Sequence, residues 1–123
     1  MVVAGPIFEP RFVQHLGVRI LRLEYSNLSS AELVVAAHQV RRVVAAEPLR
    51  SARILTVIHS RLTVEGADAL KRCALANRPF VRAGAVVASS FWNVIVTDLQ
   101  MHGREDLKLF DDEASALEWL ASA

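Results

Sequence analysis

Residues 53–59 constrain the fold more than any other stretch of the sequence. They read Arg-Ile-Leu-Thr-Val-Ile-His, so a strand formed here is apolar on both of its faces. A strand of this kind is typical of the centre of a parallel sheet whose two faces are both covered. The rest of the chain must therefore supply helices that pack against the strand from either side.

A β-hairpin is predicted upstream of this strand. Residues 12–15 and Val18–Tyr25 have the composition of strands, and Leu16 and Gly17 between them fit a tight turn in which Gly tolerates a positive φ. The second strand should be half-solvated and lie near the sheet edge, because apolar and charged side chains alternate along it. Its apolar face carries Leu21, Leu23 and Tyr25, and its charged face carries Arg22 and Glu24.

Four helices and two further strands complete the predicted order. A capping box at Ser29 and Glu32 opens a helix that runs to about residue 47, before Pro48. The other predicted helices are residues 64–77 with Thr63 as cap, residues 91–102 with Ser89 or Ser90 as cap and Gly103 after the end, and a last helix opened by Asp111 and Asp112. Strands are predicted at residues 81–88 and Leu107–Phe110. The order β-β-α-β-α-β-α-β-α indicates a single α/β domain with a mostly parallel sheet of four or five strands, entered by one hairpin.

Composition sets limits on partners and compartment. The chain has 123 residues, enough for one domain, and residues 1–11 are the candidate for a loosely ordered extension. A net charge of +1 gives no argument for nucleic acid as a partner. Cys73 is the single cysteine, which excludes an intrachain disulfide, and its place among apolar neighbours predicts a buried structural thiol. Because we find no signal peptide and no apolar run of membrane-spanning length, we expect a cytoplasmic protein without stable membrane insertion.

Several local strings, together with the element order, resemble the STAS-like family of bacterial anti-sigma-factor antagonists. They are residues 17–23 (GVRILRL), 76–83 (ANRPFVRA) and 110–113 (FDDE), the last leading to 116–120 (ALEWL). The likeness is greatest to the uncharacterised branch related to the stage II sporulation antagonist, which is also similar to CRAL-TRIO lipid-transfer domains. This resemblance implies a STAS-like domain whose role is binding rather than catalysis.

The resemblance also directs attention to the turn after the central strand. Members of the family carry a phosphorylatable Ser there, in an Asp-Ser-Ser-Gly-like string that this chain lacks. Residues 59–66 read HSRLTVEG, so Ser60 and Thr63 are the nearest hydroxyls and the candidate phosphorylation sites. A phosphate on Thr63 would suit a helix N-terminus, but a Thr at this position also serves as a plain cap.

Motifs for catalysis, phosphate binding or metal binding are weak. The five glycines form no phosphate-binding loop and the four histidines have no metal-ligand spacing, so we predict no cofactor and no metal. Asp98 and His102 are four residues apart and read as a surface pair at a helix end. Ligands of open α/β sheets gather at the carboxyl ends of strands, which makes His59, Ser60 and Thr63 candidates for a ligand- or partner-binding crevice.

The third helix is the most unusual segment. Its apolar arc is wider than one contact with a sheet needs, and the excess is centred on Trp92 and Val96, with Val94 and Met101 on its flanks. This excess could face a partner subunit, an apolar ligand or a membrane surface. The alternative is that the last helix covers the arc and that Trp92 and Trp119 close one core together.

Charge is unevenly distributed along the chain. Residues 41–82 hold nine Lys and Arg against three acids, and residues 105–118 hold six acids against one Lys. A basic middle and an acidic end could dock two copies or an oppositely charged partner, although solvated faces explain the same pattern.

The residues therefore favour a non-enzymatic STAS-like regulatory or protein-interaction module. Its expected partner is a protein, either another chain or itself as a homodimer. The alternative is a carrier of a small apolar or lipid-like ligand. A hydrolase or transferase that uses His59 or His102 is the third hypothesis. No nucleophile is placed beside His102, and Ser60 should point to the opposite side of the strand from its neighbour His59.

Overall fold

The sheet contains all five strands in chain order, from β1 at one edge to β5 at the other. This architecture comes from a computed structural model that describes residues 8–26, 28–59 and 63–123. The elements are β1 (Arg11–His15), β2 (Val18–Tyr25), α1 (Ser30–Ala45), β3 (Ala52–Ile58), α2 (Val64–Ala76), β4 (Val81–Val87), α3 (Asn93–Met101), β5 (Leu107–Phe110) and α4 (Glu113–Ser122). The predicted α/β order is confirmed.

Strand β3 lies at the centre of this sheet, as its apolar faces predict. It pairs in parallel with β2 and β4, β5 adds a further parallel strand, and only β1 runs antiparallel to its neighbour. Ile54 and Ile58 pack with α1, α2 and α3, whereas Leu55 and Val57 pack with α4 on the opposite face. The sheet therefore separates two cores, and β3 contributes to both.

The hairpin turn between β1 and β2 has the predicted position, but the backbone conformation of Leu16 is unexpected. Leu16 and Gly17 both have positive φ, of 52° and 77°. Two consecutive positive values are those of a type I′ turn, whose twist matches the twist of the flanking strands. Leu16 adopts this conformation without the freedom of a glycine, so strand pairing from His15 to Val18 must hold it there.

The predicted capping box of α1 is present. Ser29 Oγ accepts the Glu32 N–H at 3.1 Å, and Glu32 Oε1 accepts the Ser29 N–H at 2.8 Å. One side of the helix is buried in the core. The buried residues are Leu33, Ala36, Ala37, Val40 and Val44.

The start of α3 differs from the prediction. A 3₁₀ turn at Ser90–Trp92 precedes the helix, and neither Ser89 nor Ser90 caps it through its side chain. The chain thus tightens into the helix through backbone geometry instead of a hydroxyl cap. The predicted Gly103 is present after the helix end, with a φ of 105°.

The N-terminal residues that are described pack against the sheet. Phe8 is buried and its ring stacks on Tyr25 with centroids 4.8 Å apart. Of the extension expected over residues 1–11, residues 1–7 lie outside the described part of the chain.

The buried guanidinium of Arg104 connects the end of α2 with the segment before β5 and lies against β4. Its guanidinium donates twice to the Asp106 carboxylate at 2.8 Å and once to the Ala74 carbonyl at the end of α2, at 2.6 Å. Gly84 on β4 lies directly against this cluster. A Cβ atom at this position would come within 2.7 Å of Leu107 Cδ2 and 3.1 Å of Arg104 Nη2. The absence of a side chain at Gly84 therefore lets α2, β4 and the segment before β5 approach closely.

We expect Gly84→Ala to lower the free energy of unfolding by about 1–3 kcal/mol, because the new methyl group overpacks the cluster. Urea denaturation measures the change. Leu107→Val removes the nearest atom, so the double variant should lose less than the sum of the two single variants. Additive losses would contradict this account of the contact.

Candidate functional site

The N-termini of α1 and α2 meet at the edge of the sheet where β2 and β3 end. Ser30 Oγ lies 2.5 Å from Thr63 Oγ1, which also accepts the Gly66 N–H at 3.1 Å. Thr63 is therefore the cap of α2, as predicted, and it joins two helices at once. The positive ends of two helix dipoles converge at this point.

His59 lies at the same edge, directly after β3. Its backbone N–H donates to the Tyr25 carbonyl at 2.9 Å, and its side chain is exposed. The neighbouring Glu24 has a lowered pKa, chiefly because Arg22 donates a hydrogen bond to its carboxylate, with a small contribution from His59. Ser60 lies outside the described residues, so the predicted crevice of His59, Ser60 and Thr63 stays a prediction.

The orientation of α3 corrects the predicted exposed arc. Trp92 and Val96 are only 6% and 3% exposed and face the sheet together with Leu99. The alternative, in which the last helix covers the arc, is also wrong. Helix α4 packs on the other face of the sheet, where Trp119 contacts Phe110 with ring centroids 5.5 Å apart.

The apolar side chains that α3 does expose are Val94 and Met101. They are 78% and 80% exposed, the highest values among the large apolar residues of the described chain. They are seven positions apart in the sequence, which is about two helical turns, so they lie on one face of the helix about 10 Å apart. Helix α3 does carry more apolar side chains than its contact with the sheet needs, but the exposed ones are Val94 and Met101 instead of Trp92 and Val96.

An apolar cavity of about 80 Å³ lies between the sheet and the helices α1, α2 and α3. Its walls include Leu23, Ile54, Val86, Val40, Trp92 and Val96. Ligand pockets usually measure roughly 300–1,000 Å³, and a buried water needs about 10–15 Å³. This cavity is therefore too small for a lipid-like molecule and large enough for a few waters or a molecule of a few heavy atoms.

Two buried polar side chains that the sequence did not reveal border this cavity. They are Asn77 and Arg104. Asn77 Oδ1 accepts a hydrogen bond from Arg41, and its Nδ2 lies 3.6 Å from Cys73 Sγ. Burial raises the pKa of the Cys73 thiol, which keeps it protonated at neutral pH and agrees with the predicted structural role.

Asp98 and His102 form the expected surface pair at the end of α3. The His102 ring Nδ1 lies 2.7 Å from the Asp98 carbonyl and 3.4 Å from its carboxylate. Asp98 also pairs with Lys71 on α2 at 2.8 Å, and this hydrogen bond is the main reason that the pKa of Asp98 is lowered. The cluster connects two helices on the surface.

Within residues 8–26, 28–59 and 63–123, no three His, Cys, Asp or Glu side chains are grouped as metal ligands. None of the helices in this part of the chain is long and apolar enough to cross a bilayer.

Replacing the cap of α2 tests the geometry at the edge. Thr63→Ala should lower the free energy of unfolding by about 1 kcal/mol, because it leaves the Gly66 N–H without its acceptor. Thr63→Asp retains an acceptor at the helix N-terminus and should lose at most a few tenths of a kcal/mol. Equal losses in chemical denaturation would mean that Thr63 is not the cap.

The cavity can be tested with two neighbouring valines of β4. Val86 lines the cavity, whereas Val87 packs in the opposite core. Val86→Ile should raise the free energy of unfolding by roughly 0.5–1 kcal/mol, since the added methylene is buried in empty space. Val87→Ile should lower the free energy of unfolding, because the added methylene overpacks the opposite core. A loss for both variants in urea denaturation would contradict the cavity.

No protein-family model matches the chain, and no curated protein sequence matches it significantly. A structural match is the crystal structure of an uncharacterised protein of the DUF3478 family with a SpoIIAA-like fold, from Shewanella loihica PV-4. The TM-score is 0.72 over 98% of both chains, at 13% sequence identity, so the likeness concerns the fold. The chain therefore has a SpoIIAA-like, STAS-like fold, as its sequence resemblance predicted.

Proposed function

We propose that the protein is a non-enzymatic STAS-like regulatory or protein-interaction module, and that it forms a homodimer through the outer face of α3. The observation that carries this proposal is the exposure of Val94 and Met101 on one face of a helix whose other face is buried. Single exposed apolar residues are common on protein surfaces, but a pair aligned two turns apart forms a stripe.

Symmetry makes this stripe self-complementary. A two-fold axis that passes beside Thr97 would place Val94 of one copy against Met101 of the other, with the two helices antiparallel. The ion pair of Lys71 and Asp98 would flank the contact and supply its polar rim. The surface of α3 thus fits an isologous contact without any change in the fold.

The surroundings of His102 and His59 give no argument for the third hypothesis, a hydrolase or transferase. His102 bonds Asp98 on its own helix, and within the described residues no Ser or Thr hydroxyl contacts the ring of His102 or of His59. A nucleophile activated by a neighbouring base therefore has no support at these two residues.

Thr63 is the proposed regulatory position. A phosphate there would replace the hydroxyl contact with Ser30 by a strong anion between two helix N-termini. The change would alter the local charge and the joint between α1 and α2. Ser60 is the second candidate from the sequence.

The alternative of a small-ligand carrier is favoured by the apolar cavity beneath α3, which has room for only a few heavy atoms. Native mass spectrometry of the purified chain separates the two roles. A dimer without a bound small molecule supports the interaction module. A monomer with a stoichiometric mass that is lost on denaturation supports the carrier.

Polar substitution of the stripe is expected to dissociate the dimer. Val94→Gln with Met101→Gln should raise the dissociation constant by at least about a hundredfold, because each buried apolar side chain is worth roughly 1.5–3 kcal/mol. The control variant is Val35→Gln with Leu49→Gln, two exposed apolar side chains elsewhere, which should leave the constant unchanged. Sedimentation equilibrium measures both, and circular dichroism checks the fold. A monomeric unmodified chain, or a folded stripe variant that still dimerises, would refute the proposed dimer.

A further inference from the structure

A groove runs between α1 and α2. We call it the α1/α2 groove; its floor consists of the buried Ala37, Ala69 and Cys73 with the exposed Ala76 at one end, and its walls include His38, Arg41 and Arg72. The groove is open to solvent along one side, and its volume is about 490 Å³.

Small side chains on two helices that run side by side create this groove. The helices start together at Ser30 and Thr63, and they approach closely where Cys73 Sγ lies 3.5 Å from the Ala37 carbonyl. Alanines at the contact leave a channel where longer side chains would fill the space. The lining residues span 34–41 on α1 and 69–76 on α2, so the channel is about two helical turns long.

The walls of the groove are cationic. Arg41 and Arg72 line it, no lining residue is acidic, and neither arginine pairs with a carboxylate of the described chain. The C-terminal ends of α1 and α2 contribute about half a negative charge each, which is less than the two guanidinium charges. The groove therefore keeps a positive potential.

We propose that the α1/α2 groove binds an acidic helix of a partner protein. Small or apolar side chains of the partner would lie on the floor of small residues. Asp or Glu side chains would pair with the exposed Arg72 and with the remaining N–H groups of Arg41, which already donates one hydrogen bond to Asn77 Oδ1. This inference rests on the proposed role in protein interaction, but it uses a surface separate from the α3 stripe.

A second copy of this chain fits the groove less well than another protein does. Helix α4 offers one free carboxylate at most. Glu113 accepts a hydrogen bond from Arg22 at 2.8 Å, and the exposed Glu118 lies 3.5 Å from His15 without a hydrogen bond. A helix with free carboxylates complements the groove better.

The experiment selects a displayed library of helical peptides, randomised on one face, against the intact chain. The peptides recovered should be enriched in Asp and Glu. One selected peptide is then synthesised and its affinity measured by fluorescence anisotropy at low and high salt. We expect binding to weaken as salt rises, because the contact is charged.

Two variants with the same change of charge locate the binding surface. Arg72→Glu, in the wall, should weaken the peptide by about tenfold or more, whereas Arg42→Glu, exposed on α1 outside the groove, should change it by at most about twofold. Ala76→Leu fills the exposed end of the floor without a change of charge and should also weaken binding.

Three results would overturn the inference: selected peptides without an acidic excess, equal effects of Arg72→Glu and Arg42→Glu, or tight binding to Ala76→Leu. The inference also fails if no acidic peptide is selected and the groove binds membranes instead. In that case phosphatidylglycerol vesicles would bind the unmodified chain and bind the Arg72→Glu variant less tightly. The dimer is measured on the same preparation by sedimentation. Loss of peptide binding with an intact dimer refutes only the groove, and peptide binding without a dimer refutes only the α3 contact.

Discussion

Strand β3 is buried on both of its faces, and this burial determines where the four helices lie. Leu55 and Val57 on one face and Ile54 and Ile58 on the other are almost fully buried. Each such side chain is worth roughly 1.5–3 kcal/mol, so the four together match the net stability of a typical domain, about 5–15 kcal/mol. Neither face of β3 can be left open to water. Three crossover helices on one side and α4 on the other follow from this requirement.

The division into two cores also decides which surfaces are available for function. Since α1, α2 and α3 must cover one face of the sheet, the bulky side of α3 with Trp92 faces inward, and the weaker apolar side with Val94 and Met101 faces outward. The same packing brings α1 and α2 together over small residues and leaves the α1/α2 groove. The proposed interaction surfaces are thus the outer sides of helices whose inner sides complete the core.

Elements with strong local signals could be predicted from the sequence, and features set by tertiary contacts could not. A few adjacent residues specify each of three features: the strand β3 with its two apolar faces, the Leu16-Gly17 turn and the capping box at Ser29. The rotation of α3 was missed because its apolar arc is nearly continuous, so periodicity does not identify the inward side. Arg104 and Asn77 were missed because their burial depends on partners far along the chain, such as Ala74 and Arg41. The role of Thr63 as the cap of α2 could be predicted because a hydroxyl before a helix is a local signal.

In the proposed dimer, two copies of this chain meet through the outer face of α3. Thr97 is exposed between Val94 and Met101, beside the proposed two-fold axis, and the native Cys73 is buried. The most direct measurement is the mass of the Thr97→Cys variant after mild oxidation, compared with Val35→Cys on α1. We predict a covalent dimer of twice the 13.6 kDa chain mass for Thr97→Cys and monomer for Val35→Cys. A Thr97→Cys chain that stays monomeric, or equal cross-linking of both variants, would contradict the account.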